Sequence, residues 1–201
     1  MDSGPSRLGV ASTVVRIKDW RKWRVLRKGA LPEEAFDDAQ IFILLLVCTG
    51  NMCRSPMAEA FFKMHLARRL GLEIRDLERE GFFVLSAGVA ASTGSAASEN
   101  AVRIMAEHGY DLSAHRARHT DPTLLQDADL ILVMERYHLD HVLRNIPRSH
   151  HSRVHLLHPD GIEDPIGQPI EFYRRVAAKI EEAVAGFVDD FLSEVAQESG
   201  R

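Results

Sequence analysis

Cysteine is scarce in this chain of 201 residues: Cys48 and Cys53 are the whole supply. A bridge between them would enclose only Thr49, Gly50, Asn51 and Met52, too short a loop to staple a scaffold, so their role is read as chemical. Long apolar runs are missing as well. The longest, Ile41 to Cys48, is eight residues, well short of the roughly 20 that a bilayer-spanning helix needs. Positive charge is not in excess: 25 Lys and Arg stand against 29 Asp and Glu, for a formal charge of −4. No global basic field therefore draws in nucleic acid or an anionic membrane. Met1 to Gly9 contain Pro5 and no basic stretch leading into an apolar one, so no secretory signal is expected and the address is read as cytoplasmic. Eight prolines and 13 glycines give no hint of disorder, and 45% apolar residues can bury a sizeable core.

Residues 1–40 read as an N-terminal extension. Arg16, Lys18, Arg21, Lys22, Arg24, Arg27 and Lys28 crowd together with only Asp19 opposing them, and Glu33, Glu34, Asp37 and Asp38 follow. Such a run is usually solvated; a basic anchor with Trp20 and Trp23 is the functional alternative. Residues 11–31, through Ser12-Thr13-Val14 and Leu26-Arg27-Lys28-Gly29-Ala30, also resemble the closing stretch of a Sua5/YrdC-type threonylcarbamoyl-AMP synthase domain. That likeness implies the remnant of a fused domain, too short for a core of its own.

From Gln40 onward strand and helix patterns alternate. Ile41 to Val47 is a continuous apolar run of the kind buried on both faces of a parallel sheet. Ser55 and Pro56 are read as N-cap and first-turn proline of a helix that stops at Gly71. Strands are expected at Phe82–Leu85, Leu130–Met134 and Val154–Leu157, and helices at Glu99–His108 and Tyr137–Asn145. A final helix carries Tyr173, Val176, Ala177, Ile180, Val184, Phe187, Val188, Phe191 and Val195 at helical spacing, a core stripe. The expected fold is α/β, a four-stranded parallel sheet with helices on both faces spanning 41–195, followed by a tail at 196–201. Ligands in such sheets sit beyond the carboxyl ends of the strands. Cys48 to Ser55 occupy that place after the first strand.

Cys48 and Arg54 stand in the relation Cys-x5-Arg, followed at once by Ser55. A loop of that length can curl its amides onto one point, toward which the following helix aims its positive end; an anion such as phosphate fits there. Gly50 is taken to permit the turn. Arg54 can clamp two phosphate oxygens with its planar fork. Cys48 among those donors is expected to react as the thiolate, poised under phosphorus. The bare pattern arises by chance in other chains, but here it follows a buried strand and opens a helix. A leaving group then needs a proton donor. Asp164, in Glu163-Asp164-Pro165-Ile166-Gly167, is the candidate at the same sheet edge, against the plain reading of an Asp-Pro turn; Glu163 is the fallback.

These residues resemble the low-molecular-weight protein tyrosine phosphatase family over Ile41 to Val195. The resemblance implies the phosphotyrosine protein phosphatase I-like fold, with Cys48 as nucleophile, Arg54 as phosphate clamp and Asp164 as general acid. Thr49, Gly50, Asn51, Met52, Cys53 and Ser55 would form the phosphate-binding loop. Ser86, in Ser86-Ala87-Gly88-Val89, and His115, in His115-Arg116-Ala117-Arg118, would brace Asn51, with Arg118 in a structural role. It implies no cofactor and no metal; the partner is a phosphorylated protein or peptide, with no nucleic acid and no membrane. His150, His151, His155 and His158 could in principle ligate a metal but read better as surface.

Two departures bear on substrate. Ala90-Ala91-Ser92-Thr93-Gly94 and Ile166-Gly167 lack the aromatics with which the family lines its cleft. The branch of protein-arginine phosphatases, similar in Cys-Thr-Gly-Asn and Asp-Pro-x-Gly, carries threonine where this chain has Met52. Phosphotyrosine is the main reading and phosphoarginine the alternative. A non-catalytic phosphate-binding module, or a redox sensor built on Cys48 and Cys53, is the reading from another class. The family's arsenate reductases need a further cysteine that this chain lacks. Cys53 could instead bridge reversibly to Cys48 under oxidation.

Overall fold

The computed structural model describes residues 14–19, 22–30 and 41–199. They fall into two compact units, Met1–Phe42 and Ile43–Arg201. In the first, β1 (Val14–Asp19) pairs antiparallel with β2 (Lys22–Arg27), placing Val15 opposite Val25 and Arg16 opposite Arg24. The two strands were not singled out in the sequence, although the period-2 alternation of apolar and basic residues is a strand pattern. Trp20 and the acidic run Glu33–Asp38 lie outside the described residues, as does the side chain of Trp23.

The second unit holds β3 (Phe42–Cys48) from Ile43 onward. It continues through α1 (Arg54–Leu70), β4 (Phe82–Gly88), α2 (Glu99–Glu107), α3 (Pro122–Asp127), β5 (Leu130–Val133), α4 (Arg136–Asn145), β6 (Val154–Leu156) and α5 (Ile170–Ser199). The four strands form one parallel sheet in the order β4-β3-β5-β6, with Leu44 to Val47 in register with Leu130 to Val133. Hydrophobicity on both faces explains that arrangement. Leu45, Val47, Ile131 and Val133 pack with Leu125 of α3, Val142 of α4 and Ile146. The alternate residues Leu44, Leu46 and Leu132 are equally buried and face the opposite layer. The helix α1 packs against α5 and β4, and the stripe Tyr173, Val176, Ala177, Ile180, Val184 and Val188 is buried. Phe187 and Phe191 are half-buried, and the side chain of Val195 lies outside the described residues.

Several boundaries differ from expectation. Ser55 is not the N-cap of α1: Cys53 is, and it makes no side-chain capping bond. Ser55 is the second helical residue and turns its hydroxyl toward Cys48 instead. At the other end Gly71 adopts φ 69°, and its amide closes on the carbonyls of Ala67 and Arg68, the left-handed stop that glycine allows. The short helix α3 escaped the sequence reading although Asp121 caps it and Pro122 opens it. The final helix runs on through residues 196–199, expected as tail. No helix among the described residues is long and apolar enough to cross a membrane.

The chain leaves β3 to build β4 on one side, then returns to build β5 on the other. The loop after β3 therefore lies at the point where strand order reverses, where open α/β sheets bind ligands.

Candidate active site

Cys48 ends β3 and is 2% exposed. Its Sγ accepts from the Asn51 amide at 3.3 Å and lies 3.0 Å from Ser55 Oγ. The α1 N-terminus has no side-chain cap and no acidic residue in its first turn, so its positive end stays available to an anion. Above the sulfur opens a cavity of about 140 Å³, lined by Cys48, Thr49, Gly50, Met52, Cys53, Arg54, Asp164 and Ile166.

Asn51 holds the loop's shape. Its φ of 53° is the left-handed conformation, uncommon outside glycine. The turn was attributed to Gly50, but Gly50 has no positive φ, and a Cβ there would meet nothing within 4 Å. Asn51 instead is pinned at every polar group: Nδ2 donates to Ser55 Oγ and Ser86 Oγ, both at 2.9 Å, and Oδ1 accepts from the Arg118 amide at 2.8 Å. His115 Nε2 donates to its carbonyl at 2.8 Å, so Ser86 and His115 both reach the loop asparagine. His115 is half-buried, and Arg118 contributes its backbone amide. Ser86 in turn donates to Glu59 at 2.6 Å, which Lys63 pairs at 2.5 Å.

The glycine this loop does require is Gly88, which the sequence reading passed over. A Cβ there would lie 2.4 Å from the Thr49 carbonyl oxygen and 2.8 Å from the Asn51 amide. The amides of Val89 and Ala90 donate to the carbonyls of Cys48 and Thr49, both at 2.9 Å, so the chain after β4 props the loop from below.

Arg54, the first residue of α1, is 1% exposed and commits both terminal nitrogens. Nη1 donates to Glu135 and, at 3.0 Å, to the Ile162 carbonyl; Nη2 donates to Asp164 and, at 3.0 Å, to Thr49 Oγ1. Burial alone would pull its pKa down, but the charges of Cys48, Asp164 and Glu135 outweigh this and hold it above the usual arginine value. Asp164 also accepts from the Ile166 amide at 3.1 Å, an Asx turn that Pro165 favours. Glu163, the fallback, turns elsewhere and pairs with Lys179 at 3.6 Å. Hydrogen bonding from its own amide, with help from Lys179, holds it below the usual carboxylate range.

Sequence reading missed Glu135, Tyr137 and His138, which arrive at the Arg54 side from the start of α4. Cys53 is buried and accompanied by Ser98 at 3.1 Å and Tyr173 at 3.4 Å. Burial pushes its thiol up despite those bonds, and pushes the Tyr173 hydroxyl up to about 12. His150, His151 and His158 are half-buried and His155 is exposed, and none of the four lines this cavity.

A buried sulfur beside an arginine at a helix start, with a carboxylate on the cavity wall, is an arrangement that suits cysteine-dependent phosphoryl transfer. Residues 43–199 match the family model described as low molecular weight phosphotyrosine protein phosphatase, and the chain belongs to that family. It is 33% identical over 147 residues to the probable low molecular weight protein-tyrosine-phosphatase EpsP of Ralstonia nicotianae, covering 72% of this chain and 92% of that one. It is 36% identical over 143 residues to a protein-arginine-phosphatase of Geobacillus stearothermophilus, covering 69% and 88%. Among solved structures, the tyrosine phosphatase AmsI of Erwinia amylovora superposes with a TM-score of 0.62 at 31% identity, over 75% of this chain and 93% of that one.

Proposed function

We propose that this protein hydrolyses phosphotyrosine in protein or peptide substrates through a phosphocysteine intermediate. The observation that carries the reading is the placement of Cys48 Sγ beneath a cavity walled by Arg54 and Asp164, with the Asn51 amide and Ser55 hydroxyl at the sulfur. The Cys48 thiolate attacks phosphorus, and the phosphorus–oxygen bond to the leaving group breaks. Asp164 gives that oxygen its proton. Arg54 and the loop amides hold the equatorial oxygens as charge builds on them. Water, deprotonated by Asp164, then attacks phosphorus and expels the thiolate, which Ser55 Oγ at 3.0 Å is placed to stabilise. None of these steps calls on a metal or cofactor.

Met52 and Ile166 give the mouth an apolar lining, and the Tyr137 ring stands beside it through Thr49. That surface suits a phenyl ring better than a guanidinium. Phosphoarginine is the second reading, favoured by the protein-arginine-phosphatase among the relatives. Cys48 and Cys53 are both free thiols, which fits the reducing cytoplasm as the working compartment. Turnover of phosphotyrosine and phosphoarginine peptides should be compared side by side, with Cys48→Ser as control. Preference for the tyrosine ester, lost in Cys48→Ser, is expected. Retained activity in that variant sinks the mechanism, and preference for phosphoarginine sinks the substrate. Asp164→Ala should slow poor leaving groups far more than para-nitrophenyl phosphate; equal losses would remove Asp164 from the acid role.

A further inference from the structure

The four contacts of the Arg54 guanidinium divide in a regular way. Each terminal nitrogen has one carboxylate and one neutral acceptor: Glu135 and the Ile162 carbonyl on Nη1, Asp164 and Thr49 Oγ1 on Nη2. A phosphate entering the cavity needs donors from this fork, so some of these partners must yield to it. The carboxylates are the ones an incoming dianion repels. The neutral pair can stay.

Thr49 is held in its place by more than Arg54. His138, fully buried, accepts from the Glu135 amide at Nδ1 over 3.1 Å, so in the neutral ring the proton sits on Nε2. The depression of its pKa to about 3, caused first by burial and then by Arg54 and His141, agrees with a neutral ring. Nε2 therefore donates to Thr49 Oγ1 at 3.1 Å. With Arg54 Nη2 donating at 3.0 Å, both lone pairs of that oxygen are filled. Its own proton must go to Tyr137 Oη. The Tyr137 ring, tilted 37° against that of His138 with centroids 3.9 Å apart, closes the cluster.

We propose that Thr49, proton-ordered by His138, is a neutral pin that keeps the Arg54 fork aimed at the cavity while the substrate phosphate displaces Asp164 and frees it for proton transfer. Thr49 and His138 are thus positioning residues for Arg54. The proposal rests on the phosphatase reading above. It gives His138 two separable duties, accepting from the Glu135 amide through Nδ1 and donating to Thr49 through Nε2. An asparagine can imitate the first and a glutamine the second.

The test measures kcat/KM on para-nitrophenyl phosphate and competitive inhibition by inorganic phosphate, with thermal melts to confirm folding. Thr49→Val and His138→Asn should each lose about tenfold in both quantities, the scale of one well-placed hydrogen bond to a charged group or its support. The double variant should be no worse than Thr49→Val alone, because the two residues act through one oxygen. Thr49→Ser and His138→Gln should recover to within about threefold. Additive losses, a Thr49→Val protein with wild-type phosphate affinity, or His138→Asn outperforming His138→Gln would each overturn the pin. A wild-type protein that neither binds phosphate nor turns over the ester would overturn the phosphatase reading itself, a result distinct from those three.

Discussion

The two flanks of the Cys48 loop are built from different materials. On the Asn51 flank, Asn51, Ser55 and Ser86 are all fully buried; Asn51 is held by the two hydroxyls and the Arg118 amide at 2.8 to 2.9 Å, and the carboxylate that joins them, Glu59 on Ser86, is only 14% exposed. On the Arg54 flank a buried cation meets Glu135 and Asp164, whose side chains are each 37% exposed. Neutral bonds in a sealed site have nothing to exchange with, since water cannot compete for them and leaving one unmade is costly. Ion pairs at a solvent-exposed rim can be traded for another anion at small cost. The first flank is accordingly a fixed mould for the cup, and the second is the part that changes partners when phosphate arrives.

The sharpest break of that contrast is Arg54→Lys. A lysine keeps the charge but offers one nitrogen where the fork serves four acceptors in a plane. kcat on para-nitrophenyl phosphate should fall about 10²- to 10³-fold, the loss seen when a preorganised donor to a developing oxyanion is removed. Steady-state kinetics on folded protein checks it. A loss under threefold would mean that charge alone suffices and that the geometry of the exchangeable flank is incidental.

On the fixed flank the corresponding break is Gly88→Ala. The new methyl would meet two backbone atoms of the loop at 2.4 and 2.8 Å, and backbone cannot rotate away as a side chain can. Overpacking of this kind costs about 1–3 kcal/mol. Stability to urea should drop by that amount, and kcat should fall with it because Asn51 is displaced. Unchanged stability together with wild-type kcat would show that the loop tolerates movement from below.

The same division explains what the sequence disclosed. Cys48, Arg54 and Ser55 lie within one short loop, so their spacing alone implied a cup, and the apolar run of β3 placed it at a sheet edge. Asp164 was legible because proline follows it in a loop after the last strand. Ser86 and His115 came through family likeness, since nothing local in either segment points to Asn51. Glu135, Tyr137 and His138 were not legible: they lie more than 80 positions from their partners Thr49 and Arg54, and in the sequence they open an ordinary helix. Gly88 looked like strand filler because its need arises from a neighbouring strand's loop. Ser55 was misplaced as a cap for a related reason, because serine before proline signals a helix start whatever its hydroxyl later contacts.

The smallest of these effects is one of stability against pH, and it isolates His138. In the folded protein burial, then Arg54 and His141, push its pKa down to about 3. In the unfolded chain it titrates near the ordinary 6.5. Between those values the unfolded state binds a proton that the folded state refuses, so stability rises with pH there. The contribution is whole above about pH 6.5 and is lost progressively as pH falls toward 3. From pH 7.5 to 5.5 the wild type should lose roughly 1.4 kcal/mol through this group alone, and His138→Gln, with no proton to take up, should lose that much less. Urea unfolding of both proteins at the two pH values reads the difference directly. Parallel losses would mean that His138 takes up a proton in the folded state, next to Arg54, and the neutral pin on Thr49 would then lack its donor order.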